Sequence, residues 1–550
     1  MSEHETAAAA LADRFWDGLL RLEPFLGTQV GDERHDDRLP DPSEEGLAER
    51  GDFYRGALAD LEPIDRAALS ETTRTMLDVL EATSARELAA IETRMDRLQS
   101  VSHLWGPGQL LAEMASFQRA DTPERLERYL GRLRAVPAFL DALGPVMEGA
   151  VTAGQTAPDV VVDRAIAQVE RLLSTSPEDS PAHAPVQDDA ARARVADVIR
   201  EDVAPAYERY LDNLRRYRPS ATSTIGLSAL PGGEALYASQ ILAWTTLPLG
   251  AADVHRTGQE QLEAIQQERR EAATKLGFDD PAKAIAALQQ SGRNVASSRE
   301  DMVRRAQEQV RLGWEAAPRL FGRMPKENCE VRPVEEYREA DMPFAFYNAP
   351  SADNSRRGVY YVNTSDLHER PLHQLATTTF HEANPGHHFQ LAIEQEIPDR
   401  PNLRRFGGLL GGSAFIEGWG LYSERLGDEL GLFRDENERL GMLDMQAMRA
   451  CRLITDTGIH AFGWDRDRAV AQMQESGLPA LEAGIEVDRY IALPGQACAY
   501  MIGQLEIQRW RAERAKREGA AFDVRDFHDR LLGLGSLPLP ALQREMGAGS

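Results

Sequence analysis

The stretch TTTFHEANPGHHFQ, residues 377–390, brings three of the chain's twelve histidines, His381, His387 and His388, within eight residues. Glu382 follows directly after the first. Two imidazoles and a carboxylate are donors that catalytic zinc takes. In an H-E-x-x-H helix the histidines stand at i and i+4, on one face and one turn apart, and the glutamate reaches a water at the metal. Here i+4 is Pro385, His387 is i+6 and His388 is i+7. On a straight helix i+6 is rotated about 240° away, and i+7 lies about 10.5 Å further along the axis. Neither readily meets His381 at one ion with bonds of about 2.0–2.1 Å.

The residues between the histidines suggest how they meet. Pro385 cannot donate to the His381 carbonyl, and its ring pushes against that carbonyl. Gly386 tolerates unusual dihedrals. One or two residues looped out would carry His387 to the place of the i+4 ligand. The motif then reads H-E-x4-H, with His381 and His387 as metal ligands and Glu382 as general base. His388 is the alternative second ligand. The plain alternative is that Asn-Pro-Gly ends the helix and the histidines decorate a turn.

Catalytic zinc usually takes a third protein ligand. The segment GGSAFIEGWGLYSERLG (411–427) offers Glu417 and Glu424 on an otherwise apolar helix. A carboxylate flanked by Phe415, Ile416 and Trp419 is costly to bury unpaired. Glu417 is the candidate ligand, and Glu424 suits a carboxylate that orients a ligand histidine. A salt bridge to an arginine is the ordinary alternative. Further on, Arg452, Asp456 and His460 fall at four-residue steps on one helical stripe. His460 is a candidate donor to the substrate carbonyl or oxyanion, and Asp456 a candidate supporting carboxylate; simple surface pairing is the alternative. Tyr490, Gln496 and Tyr500 lie near a Pro-Gly break, and a phenol there is a candidate oxyanion donor, against a core role. Arg449 or Arg452 could clamp a substrate carboxylate, and Tyr360 is a candidate substrate contact.

These residues need helices to position them, and most of the chain supplies helical stripes. Leu11, Phe15, Leu19 and Leu20 repeat at three- and four-residue spacing, as do Val203, Tyr207 and Leu211. Strand signals are few: FAFYNA (344–349) and GVYYVN (358–363) read as a hairpin joined through Asp353, Asn354 and Ser355, and ENCEVRPV (327–334) is a further candidate strand. Pro-, Ser- and Gly-rich residues 218–236 mark the best boundary. The expectation is a mainly α protein with an N-terminal helical region (1–220), a catalytic helical region (221–550) and a small sheet beside the site.

Composition narrows the partners. The formal charge is 62 − 88 = −26, which disfavours nucleic acid and anionic membranes. No run reaches the roughly 18 apolar residues of a membrane span, and the N-terminus lacks signal-peptide character. Three scattered cysteines, Cys329, Cys451 and Cys498, fit a reducing compartment with free thiols. The expectation is a cytoplasmic protein acting on a peptide or small amide.

HEANPGHHFQ, EGWGLYSERLG, RLITDTGIHAFGW and YIALPGQACAYMIGQLEI, in that order across 340–510, resemble the bacterial family called domain of unknown function 885. FWDGLLRLEPFLGTQVGD resembles that family's start, so the likeness covers nearly the whole chain. The family is similar, more distantly, to the helical zinc peptidases of the thimet-oligopeptidase, angiotensin-converting-enzyme and thermostable-carboxypeptidase group. The resemblance implies an elongated helical body with a deep cleft, one zinc per chain on His381, His387 and Glu417, Glu382 as base, Tyr500 as the oxyanion donor, and metallopeptidase activity. The chain departs from the distant relatives by two residues inserted before His387. Two rival readings remain: a metal-dependent amidase acting on a non-peptide amide, and a non-catalytic binder, against which an intact Glu382 weighs.

Overall fold

The computed structural model describes residues 3–336, 339, 342–350 and 357–547. Helix α1 (Glu3–Leu22) carries Glu3 and Glu5 in its first turn and Arg21 in its last, charges that complement the helix dipole. Its stripe of Leu11, Phe15, Leu19 and Leu20 is buried. Helix α2 (Pro123–Ala153) begins behind Thr122, whose hydroxyl accepts the Arg125 N–H at 3.3 Å, and stops at Gly154 with φ +66°. Proline at the first position gives up an amide hydrogen with no helical partner, and glycine takes the left-handed turn at little cost. Helix α3 (Ala204–Tyr217) buries Tyr207, Tyr210, Leu211 and Leu214.

The chain divides into two compact units. The first is Met1–Gln240 with Gly458–Arg466 and Glu486–Pro494; the second is Ile241–Thr457 with Asp467–Ile485 and Gly495–Ser550. Residues 221–240, grouped by composition with the C-terminal half, therefore belong to the first unit. Arg132 ties that unit together from full burial. Its guanidinium donates to the Arg38 and His35 carbonyls at 2.8 and 2.9 Å and to Thr28 Oγ1 and Gln118 Oε1 at 2.8 and 2.9 Å.

The second unit runs α4 (Ala251–Lys275), α5 (Arg299–Ala316), β1 (Glu330–Pro333), β2 (Ala345–Asn348), β3 (Val359–Val362), α6 (Leu372–Glu382), α7 (His387–Gln395) and α8 (Ser413–Glu429). It continues with α9 (Glu436–His460), whose last residues enter the first unit, α10 (Ala499–Glu518) and α11 (Val524–Leu534). The protein is thus mainly α with a small sheet of order β1-β3-β2. Strands β2 and β3 pair antiparallel, with Phe346 opposite Tyr361 and their rings stacked at 4.9 Å. Strand β1 runs parallel to β3. The expected link through Asp353, Asn354 and Ser355 lies outside the described residues. Among those described, no helix is long and apolar enough to cross a membrane.

The sheet braces two helices that carry histidines. Tyr360 on β3 meets Thr379 Oγ1 on α6 at 3.1 Å, and Tyr347 on β2 meets His388 Nδ1 on α7 at 2.8 Å. Helix α8 packs on α6, where Ser423 Oγ donates to the Phe380 carbonyl at 2.8 Å. Its other side meets α10 main chain to main chain: a Cβ on Gly418 or on Gly503 would overlap the backbone of the other helix. Glycines there let two helices approach closely enough to fix α8 in place.

Candidate metal centre

Helix α6 stops at Glu382 because Ala383 leaves helical dihedrals (φ −109°, ψ −104°) and Pro385 brings no amide hydrogen. Helix α7 starts at His387. The insertion is therefore a complete break between two helices, sharper than the bulge or kink that the spacing suggests. Four residues, 383–386, fold back on the last turn of α6, and a Cβ on Gly386 would overlap the Phe380 and His381 carbonyls. Two buried side chains pin the segment. Asn384 Nδ2 donates to the Val310 carbonyl at 3.0 Å and to Asn328 Oδ1 at 2.8 Å. Trp419 Nε1 donates to the Pro385 and Gly386 carbonyls at 3.0 and 3.2 Å.

The break turns His381 and His387 toward each other, with ring centroids 4.7 Å apart and planes nearly perpendicular at 83°. Glu417 faces both: its Oε2 is 3.6 Å from His381 Nε2 and 3.7 Å from His387 Nε2. Those separations are too long for hydrogen bonds. They lie close to the roughly 3.3 Å between neighbouring donors of a tetrahedral ion with bonds of about 2.0–2.1 Å. Glu382 completes the group, since one donor atom each from His381, Glu382 and His387 lie within 4.8 Å of one another. His387 Nδ1 is buried without a hydrogen-bond partner. Gly420, one turn after Glu417, makes the room: a Cβ there would stand 2.7 Å from His381 Cε1 and Nε2 and 3.0 Å from His387 Cε1. The donors, their spacing and the cradle together fit a divalent cation.

Glu424 lies behind His381, its Oε1 2.9 Å from Nδ1. Such a carboxylate fixes the tautomer that leaves Nε2 free to bind a metal. Gln446 Nε2 in turn donates to Glu424 Oε2 at 3.2 Å, and Gln504 Nε2 to Gln446 Oε1 at 3.0 Å. The electrostatics follow from enclosing three carboxyls with two imidazoles. Burial pushes Glu382 up to about 7. Against burial, which opposes it, the Glu417 and Glu424 carboxylates raise His381. Burial, then the charge on His381, lowers His387 to about 4. Glu417 is held down to about 2 by the two imidazoles despite burial.

Four sequence candidates stand elsewhere. His388, the alternative ligand, spends both nitrogens on structure: Nδ1 on the Tyr347 hydroxyl at 2.8 Å and Nε2 on the Glu327 carbonyl at 2.9 Å. His460 is corrected from oxyanion donor to buried structural residue. Its Nε2 meets the Tyr490 carbonyl at 3.0 Å and its Nδ1 accepts the Leu227 N–H at 3.4 Å, both within the first unit. Asp456 supports a turn, accepting the Gly495 N–H at 3.0 and 3.2 Å ahead of α10. Tyr360 is fully buried on the core side of α6 and closed to substrate. Tyr500 and Arg452 adjoin each other, the Arg452 Cζ lying 4.7 Å from the Tyr500 ring centroid. Trp419, Gly420 and Gln446 went unread as site residues. The signal was present in EGWG, where two glycines interrupt a helix that has no turn to make.

The chain belongs to the family described as bacterial protein of unknown function (DUF885), whose model matches residues 24–546. No curated protein matches it. The fold is similar to the crystal structure of a candidate lipoprotein from Colwellia psychrerythraea (24% identity, 100% of this chain and 99% of that one, TM-score 0.89). It is also similar to a candidate lipoprotein of unknown function from Shewanella oneidensis (22% identity, 98% and 99%, TM-score 0.79). At these identities the likeness establishes the fold. The cytoplasmic location expected above is corrected by these neighbours, whose description as lipoproteins stands against it. The cysteine argument for it also falls. All three thiols are buried, and burial pushes those of Cys329 and Cys451 up to about 12, so they are inert whatever the redox surroundings.

Proposed function

We propose that this protein is a zinc-dependent hydrolase of amide bonds, a metallopeptidase, with His381, His387 and Glu417 as the ligands. The observation that carries this reading is the set of separations around Glu417 Oε2, 3.6 and 3.7 Å from two imidazole nitrogens, too wide for hydrogen bonding and suited to sharing an ion. When bound, zinc supplies Lewis acidity that polarises a carbonyl and acidifies a neighbouring water. The protein's own groups do the rest. Glu382, a carboxyl that burial brings near neutrality, takes the proton of the attacking water and passes it to the leaving nitrogen. Glu424 Oε1 holds the Nδ1 proton of His381. Tyr500 is the donor assigned to the developing oxyanion. The order of motifs resembles the helical zinc peptidases, which supports a peptide bond as the target. The description of both structural neighbours as candidate lipoproteins supports action outside the cytoplasm.

Elemental analysis of the full chain purified without chelator is the test. About one zinc per chain is expected from one such ligand set, together with hydrolysis of a peptide pool that a chelator stops. Protein that holds no metal and takes up none when zinc is added overturns the reading.

A further inference from the structure

Helices α8 and α9 run antiparallel: Arg439 meets Asp428 at 3.2 Å, and seven residues on Gln446 meets Glu424 and the Leu421 carbonyl. Moving forward along α9 is therefore moving from Glu424 back toward Gly420 and Glu417. The three helices α8, α9 and α10 meet in rungs. In the first rung, Glu424, Gln446 and Gln504 form a chain of hydrogen bonds. One turn further along α9 comes Arg449, and one turn back along α10 comes Tyr500. The Arg449 and Arg452 guanidinium carbons lie 5.9 and 4.7 Å from the centroid of the Tyr500 ring.

In this second rung Arg449 carries a donor that the protein leaves open. Arg449 is 7% exposed, and its Nη1 donates to the Met445 carbonyl at a long 3.4 Å. Its Nε is buried without an acceptor, and it makes no ion pair among the described residues. A buried guanidinium in that condition is costly. A carboxylate taken in its fork would satisfy Nε and neutralise the charge together. The rung also stands close to the histidine cluster: Arg449 lies one turn along α9 from Gln446, whose Nε2 holds the Glu424 carboxylate that backs His381.

We propose that Arg449, with Arg452 and the Tyr500 ring, forms a carboxylate-binding subsite beside the His381–His387–Glu417 cluster, so that the substrate is an amide whose cut bond lies near a carboxylate. The bond cut rests on the hydrolase reading above; the carboxylate rests on Arg449. Two sources offer that group, the C-terminal α-carboxylate of a peptide and an acidic side chain.

The experiment is retention of random N-acetyl tetrapeptide pools by the full-length Glu382→Gln protein, read by ultrafiltration and mass spectrometry, with no turnover needed. Free-acid pools should bind at least tenfold more tightly than C-terminally amidated pools. Alternatively, amidated pools containing Glu should beat those containing Gln, which identifies the side chain as the source. Arg449→Met should erase the difference, and Arg449→Lys, which keeps the charge and loses the fork, should restore part of it. Melting temperature and zinc content, unchanged in both variants, separate the subsite from folding. Equal retention of acid and amide without a Glu preference, or a preference that survives Arg449→Met, overturns the subsite. If the preference holds while wild-type protein cleaves no pool, the subsite stands and the hydrolase reading falls.

Discussion

Glu417 and Glu424 stand seven residues apart on α8; Asp456 and His460 stand four apart on α9. Each pair lines up along one helical face, and the partners of the two pairs differ in kind. Glu424 holds an imidazole, and Glu417 faces two more ring nitrogens at separations wider than a hydrogen bond. Asp456 and His460 hold main chain, at Gly495, Tyr490 and Leu227. Main-chain partners fill a polar side chain's valences, and exchanging them for a ligand would open the fold. Side chains that face one another with valence to spare can accept an ion. A buried polar row of the second kind has room for an ion, and one of the first kind holds architecture.

The largest effect expected from this contrast is on turnover. Glu382→Gln should keep zinc and melting temperature and lose activity by about 10²–10⁴-fold, the usual worth of a general base. His460→Gln should leave kcat within a few-fold. Equal losses in the two variants, measured by steady-state kinetics, would break the comparison.

Metal affinity comes next. His387→Ala should weaken zinc binding by more than the roughly 10–100-fold typical of losing a supporting partner. His388→Ala should keep the zinc and lower stability by about 1–3 kcal/mol, because it strands the Tyr347 hydroxyl and the Glu327 carbonyl. Competition against a chelating dye and thermal melting separate the two outcomes. A metal loss that follows His388 would reverse the assignment.

Acid should act on the architectural histidines. Burial pushes down to about 4 both His460 and His528 of α11, whose ring is held between the Tyr422 hydroxyl at 2.9 Å and the Leu320 carbonyl at 2.8 Å, against about 6.5 in the unfolded chain. The unfolded chain therefore binds more protons between those values, and stability must fall as pH drops through 6.5 toward 4. The loss is on the order of 3 kcal/mol per histidine at pH 4. Melting temperatures between pH 7 and pH 4 check the slope, which His460→Gln should flatten. An unchanged slope in that variant would mean that His460 titrates normally.

The smallest effect tests the cradle. Gly420→Ala should weaken zinc about tenfold by crowding both imidazoles. Gly418→Ala should instead lower the melting temperature, because its Cβ meets the α10 backbone. Interchanged phenotypes would show that the two glycines have each other's role.

How much of this could be read from the chain depends on where each residue's partners lie. His381, Glu382, His387 and Glu417 were legible because their types and spacing restrict what they can do. The helical stripes and the β2–β3 hairpin were legible because periodicity records which face is buried. Tyr360, His460 and Asp456 misled, since a tyrosine, a histidine and an aspartate look alike whether free or already engaged. Their partners, Thr379, Leu227, Tyr490 and Gly495, are placed by the fold and carry no mark in the sequence. The roles of Gly420 and Trp419 were hidden for the same reason, because room and an anchor are properties of neighbours. The helix break at 383–386 was half legible: Asn-Pro-Gly announced a disruption but not its extent.

Trp419 stands against the segment that joins α6 to α7. It is one of seven tryptophans, fully enclosed, and its indole N–H is tied to the Pro385 and Gly386 carbonyls that lie between the two histidines. The emission colour of an enclosed indole follows the electric field along its ring. A cation drawn between His381 and His387 changes the field at those carbonyls, and the indole is wired to them. A shift in the emission of the unlabelled protein when zinc is added is thus the expected optical sign of an ion between His381 and His387, read from the link that separates them.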